Sequence, residues 1–345
     1  MRHVTVRAIA YSFVVALGVV TTPPTAAAPL DPARIPADAK WVIHVDYEAL
    51  SGSELMETFR DKRPKLANRA RRWMQERYGI DPREDLKGLT LFSDTYKSHS
   101  GAAILRASYD RAKVESDVLS KPKVKTTKWQ DYTLYTWEVR KHGKRRQKEK
   151  PRSDGQSTDR NLRADNNRRT VTAALLDSET VVFAPSEDRA KSVVEFLQDE
   201  KSSLEGEESR LVASVPDGAI IYGAAIDLQS ISRHERPFPI LQQHEYAMWA
   251  VGERNGEVFE ELTLDARNEE TARQMETILE GLVALGKVWS ADMEQLAELY
   301  DDVHIRQEGT TVHLEWHGKP DETVDAVEEF VSRVKKWRAA RREQR

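Results

Sequence analysis

The chain has 345 residues, 39% hydrophobic and 32% charged, with a formal net charge of −4 and no cysteine. At about 150 residues per domain, that length makes roughly two domains. Its aromatic and β-branched content outside one segment excludes a wholly disordered chain. The missing cysteines exclude disulfides, thiolate zinc sites, a cysteine nucleophile and a lipid anchor on cysteine.

The N-terminus predicts export. Arg2, His3 and Arg7 precede an apolar run from Ala8 to Val20, and Thr25-Ala-Ala-Ala28 supplies small residues. That order is a secretory signal peptide over 1–27 with cleavage after Ala27, which leaves a periplasmic or extracellular protein. The apolar run is shorter than the ~20 residues that span a bilayer, and nothing after Pro29 is apolar for long enough to cross one.

A Pro-containing turn, Ile35-Pro-Ala-Asp-Ala39, leads into the strand pattern Trp41-Val-Ile-His-Val-Asp46. Ser51-Gly-Ser53 opens a helical stretch with Leu55, Met56 and Phe59 inward. Pro64 starts a second helix, carrying Leu66, Ala70, Trp73 and Met74 and closed by Gly79. Leu89–Tyr96 and Ala102–Tyr109 read as a hairpin, and Asp110 caps a helix with Val114, Val118 and Leu119. Trp129 and Tyr132–Val139 read as strand. Thr170–Leu176 and Thr180–Ala184 form a second hairpin, followed by a helix from Ser186 to Leu197.

The opening pattern then returns. Val215-Pro-Asp-Gly-Ala219 leads into Ile220-Ile-Tyr-Gly-Ala-Ala-Ile-Asp227. Tyr246–Glu253 and Glu257–Ala266 flank Arg254-Asn-Gly256, a strong hairpin signal. Asn268 caps a helix with Ala272, Met275, Leu279, Leu282 and Leu285, and a short helix surrounds Leu296 and Leu299. Val303–Gln307 pairs with Thr310–Trp316 across Glu308-Gly309, and Asp321 caps a closing helix through Val334. Strand, hairpin, capped helix, hairpin, capped helix thus occurs twice. The predicted architecture is α+β, with two tandem related units, 28–205 and 206–345. Each unit is expected to be an antiparallel sheet of hairpins with helices packed on one face.

One segment fits neither unit. Residues 140–169 hold twelve Lys or Arg against four acids and almost no apolar residue, and read as a disordered basic loop between two strands. Lys144, Arg145, Arg146, Lys148, Lys150, Arg152, Arg168 and Arg169 are its candidate polyanion-binding residues. The loop has no aromatic for base stacking, and with export expected, nucleic acid is not an expected partner.

Catalytic and metal patterns are sparse. His44 and Asp46 are two apart on a strand and face the same way, which would suit a metal or an acid–base pair. The second unit has Ala224 or Ala225 in place of His44, so the aspartate reads better as a cap. His313 and His317 are four apart near the end of a strand pattern, with no third ligand suggested. No nucleophile elbow, phosphate loop or dinucleotide fingerprint occurs. Trp41, Trp137, Trp249 and Trp316 could line a sugar site but fall in strand patterns where core packing is the simpler role. No catalytic residue, cofactor or metal is assigned.

The Pro36-Ala-Asp-Ala39 opening, its strand ending at Asp46, and Tyr78-Gly-Ile-Asp-Pro-Arg-Glu-Asp-Leu86 resemble an uncharacterised family of exported bacterial proteins, abundant in planctomycetes. The resemblance implies an exported two-unit protein and nothing catalytic. The expected role is a non-enzymatic binding or cell-envelope-associated component, with a protein or acidic polymer of the envelope as the partner class. Two alternatives stand beside it. One is a hydrolase with a site between the units; the other is a polyanion or anionic-surface binder acting through 140–169.

Overall fold

The computed structural model describes residues 29–140, 168–199, 202–206, 208–231 and 242–343. The expected signal peptide, 1–27, lies outside them. So do Lys144, Arg145, Arg146, Lys148, Lys150 and Arg152.

Strand β1 (Trp41–Asp46) ends at an aspartate because Asp46 Oδ1 accepts from Ala49 N at 2.8 Å, capping α1 (Tyr47–Gly52). The helical stretch therefore begins four residues before the predicted Ser51. Ser53 then caps α2 (Glu54–Lys62) through Met56 N, and Pro64 opens α3 (Pro64–Tyr78). Gly79 closes α3 at φ +70°, where an added Cβ would stand 2.5 Å from the Asp110 side chain. Strands β2 (Leu86–Ser93) and β3 (Ala102–Ala107) follow, then α4 (Arg111–Leu119), capped by Asp110.

Strand β4 (Lys125–Trp129) was not legible beforehand. It pairs only with β5 (Tyr132–Arg140) at the sheet edge, so its Lys and Thr side chains remain in water and leave no apolar alternation. Strand β6 (Arg168–Leu175) starts earlier than predicted because Arg168 and Arg169 pair opposite Arg140 and Val139. Strand β7 (Thr180–Ala184) and α5 (Glu187–Asp199) complete the first half.

The second half runs through α6 (Arg210–Ala213), β8 (Ala219–Ile226), β9 (His244–Arg254) and β10 (Glu257–Ala266). Asn255 and Gly256 join the last two, both at positive φ as a tight two-residue hairpin requires. Helices α7 (Glu269–Trp289) and α8 (Glu294–Leu299), strands β11 (His304–Glu308) and β12 (Thr311–Gly318), and α9 (Pro320–Glu343) complete it.

The fold is α+β, as predicted, with every strand pair antiparallel. The strands build one continuous twelve-stranded sheet in the order β11-β12-β10-β9-β8-β1-β2-β3-β7-β6-β5-β4. The two sequence-similar strands meet at its centre. β1 pairs with β8 from Trp41↔Ala225 to Val45↔Ile221, so neither apolar strand leaves an open edge. Outward from that seam, the first half runs β1-β2-β3-β7-β6-β5-β4 and the second β8-β9-β10-β12-β11, so the order matches over five strands and the first half adds two at its edge.

The helices divide between the faces rather than sharing one. Val42, Phe92, Ile104, Val182, Tyr222 and Ala250 form a core with Ala190, Val193 and Val194 of α5 and Leu211 of α6. The opposite face packs against α4 through Val118, α2 through Met56 and Phe59, α7 through Ala272 and Met275, and α9 through Val324. The short strands β6 and β7 are apolar on both faces, with Ala174 and Val182 one way and Leu175 and Val181 the other. They therefore need cover on both sides.

Side chains also stitch the halves together. Glu253 on β9 receives Glu54 N and Leu55 N at the start of α2, both at 2.9 Å. Lys62 pairs with Asp325 and Arg63 with Glu328, tying α2 and its end to α9. Lys40 reaches Asp227 at 2.6 Å at the other end of the seam.

Candidate functional site

His44 and Asp46 do share a face of β1 and both are buried, 6% and 3% exposed. The aspartate is held by the α1 cap, and His44 Nδ1 lies 2.9 Å from Thr90 Oγ1 across the β1–β2 ladder. The pair performs structural work. His313 and His317 both lie in β12 on one face, two full strand repeats apart, which separates their Cα atoms by about 13 Å. That is too far for one metal ion. His313 Nδ1 instead sits 3.3 Å from Thr263 Oγ1, and His317 rests beside the Phe259 ring. Among the described residues no group of three or more His, Asp or Glu side chains could hold a metal.

The strand tryptophans are built into the frame. Trp41 Nε1 donates to Thr95 O at 3.1 Å, Trp137 packs in the cluster beneath α4, and Trp316 is 4% exposed. Trp249 Nε1 donates at 2.7 Å to Glu260 Oε1. Burial pushes the Glu260 carboxyl above its ordinary range, against that single donor. Between the two halves, Arg63, Glu294, Asp325, Glu328 and Glu329 line a shallow open recess. Three of its four acids are engaged: Glu328 by Arg63, Asp325 by Lys62, and Glu329 by Leu296 N at 3.3 Å.

The surface feature that sequence periodicity did not single out is the outer side of α7. Ala272, Met275, Leu279 and Val283 recur at helical spacing; the first two are buried, the other two half-buried. Ile278, Leu282, Leu285, Val288 and Trp289 continue the apolar arc past the sheet contact and are 41%, 44%, 60%, 78% and 43% exposed. No charge interrupts that outer arc between 278 and 289, because Glu280 and Lys287 fall on the far side of the helical wheel. An apolar arc wider than one packing contact leaves part of itself in water.

The middle of α9 closes against this end of α7. Trp289 meets Phe330 edge-on at 5.8 Å, and Phe330, Val334 and Trp337 share one stripe at helical spacing. Trp337 is 50% exposed, beside the exposed Lys335 and Lys336. The arrangement is an apolar ridge with two tryptophans and a basic border. Among the described residues no helix is long and apolar enough to cross a membrane. Of the predicted polyanion residues, Arg168 and Arg169 stand at the start of β6.

No family model and no curated protein matches the chain. Solved structures of TP0453 resemble it over most of its length. Crystal form III aligns at 11% identity and a TM-score of 0.43, covering 87% of this chain and 98% of that one. Crystal form I aligns at 10% identity and a TM-score of 0.40, covering 87% and 97%.

Proposed function

We propose that the protein is an exported, non-enzymatic component of the cell envelope that rests on an anionic lipid surface through the outer face of α7 and the adjoining end of α9. The observation that carries this reading is the exposed apolar arc from Ile278 to Trp289. Its length exceeds what scattered surface hydrophobics account for. Lipid is the occupant that suits its borders: aromatic rings at Trp289 and Trp337 favour the headgroup level, and the exposed Lys335 and Lys336 favour negative headgroups. The role is peripheral, since the arc belongs to a helix whose other side is committed to the sheet. The engagement of His44, Asp46, Asp325, Glu328 and Glu329 in structural bonds supports a non-enzymatic role. The matching strand order outward from β1 and from β8 supports descent of the two halves from one unit.

The test is sedimentation of the mature chain with vesicles of phosphatidylglycerol or of phosphatidylcholine. Binding to the first, weakened by salt, is expected, with loss in the Leu282→Ser, Leu285→Ser, Val288→Ser triple variant. A folded triple variant that binds as well as the parent overturns the reading. If deletion of 141–167 abolishes binding while the triple variant retains it, the basic segment is the binder instead.

A further inference from the structure

Arg60 lies on the last turn of α2 and is only 7% exposed. Arginine is almost never buried to this degree without an anion against it. Among the described residues Arg60 makes a single hydrogen bond, from Nη1 to the Ser51 carbonyl at 3.2 Å, and its buried Nη2 has no acceptor. Arg83, half-buried in the turn after α3, likewise keeps a buried Nε–H without an acceptor. Ser51 Oγ donates to the Arg83 carbonyl at 3.2 Å, so Ser51 at the end of α1 holds both the Arg60 guanidinium and the Arg83 backbone.

Burial, aided by the Arg83 charge, pushes the Arg60 guanidinium down to about 10, while Glu57 and Asp61 on its own helix pull the other way. Burial and Arg71 lower Arg83 in turn, against Asp81 and Glu84. Those acids do not neutralise the pair by contact. Glu57, Asp61 and Glu84 are exposed. Asp81 is taken by Arg71 at 2.8 Å and by the Arg83 backbone N–H at 3.2 Å.

Two neighbouring guanidiniums with spare donors shielded from water, on a wall whose carboxylates are engaged or exposed, match what oxyanion recognition requires. We propose that Arg60 and Arg83 together bind a small oxyanion, a phosphate or a carboxylate, admitted at the half-buried Arg83 side. The anion supplies the acceptors that Arg60 Nη2 and Arg83 Nε lack and lifts the repulsion between the two cations.

The experiment titrates the full chain with inorganic phosphate and, separately, with acetate, at ionic strength held constant with chloride. Thermal unfolding and calorimetry are the readouts. Saturable stabilisation is expected from one of the two anions, and the stronger one identifies the source as phosphate or carboxylate. Arg83→Gln, at a half-buried turn position, should fold and weaken that binding at least tenfold; Arg60→Gln should do the same. Absence of saturable binding by either anion overturns the proposal, as does stabilisation that follows ionic strength alone. Unchanged affinity in a folded Arg83→Gln protein overturns it too.

Discussion

Replacing Glu253 by alanine removes a carboxylate that caps a helix belonging to the other half of the chain. Its two oxygens receive Glu54 N and Leu55 N, each at 2.9 Å, at the positive end of α2. Hydrogen bonds to a charged acceptor are worth about 1.5–3 kcal/mol when water is excluded. Glu54 N lies at an exposed position, so water replaces part of that loss and a cap-like value of about 0.5–1 kcal/mol per bond is appropriate. The charge at the helix terminus adds about 0.3–1 kcal/mol. Ser53 Oγ still accepts from Met56 N at 3.2 Å, so α2 keeps its local cap. The expected loss is about 2 kcal/mol. At ~2.1 cal/mol/K per residue, a chain of this size loses roughly 3 °C in Tm for that amount. Urea denaturation and calorimetry of Glu253→Ala measure it, with Glu257→Ala on the same hairpin as the control. The control should stay within about 0.5 kcal/mol of the parent. If Glu253→Ala is no more damaging than Glu257→Ala, the carboxylate does not hold α2, and the cross-half clamp has been misjudged.

Two other perturbations follow from the same frame. Glu260→Gln should stabilise the protein at neutral pH and leave it unchanged in acid. The native carboxyl holds its proton to a higher pH than the unfolded one, whose ordinary value is 4.5. Stability therefore falls as pH rises through the interval above that value and stays low beyond the native pKa. Equal gains from Glu260→Gln at pH 4 and pH 8, measured by urea denaturation, would show that the charge is not the cause. Gly252→Ala should destabilise by several kcal/mol. Its Cβ would stand 2.6 Å from the Phe259 ring and collide with the Gly218 carbonyl, in a ladder that cannot shift without breaking register. A melting temperature within about 2 °C of the parent would contradict that packing.

Local chemistry made much of the fold readable. Asp110, Ser53, Asn268 and Gly79 occupy the capping positions their residue types favour. Asn255-Gly256 makes the tight hairpin that its intrinsic tolerance of positive φ allows. The Asp46 cap was legible as well, because its partner Asp227 recurs without the histidine. Strand β4 was not, since an edge strand with wet Lys and Thr side chains has no apolar period to detect. Nor was the unsettled half of α7. Periodicity shows that Met275, Leu282 and Leu285 lie on one broad arc, yet which of them meets the sheet depends on where β10, β11 and β12 stand.

The sequence alone determined the α+β class, the antiparallel hairpins and the exclusion of cysteine chemistry, since each rests on residue type and short-range spacing. The tertiary structure decided that the halves share one sheet, because the β1–β8 seam is a choice of partners between strands about 180 residues apart. It likewise decided that α5 and α6 cover one face while α1–α4 and α7–α9 cluster on the other. The place of buried Arg60 near half-buried Arg83 was also decided there. No spacing rule brings a helix end beside a turn more than 20 residues later, and only packing shuts water away from their donors.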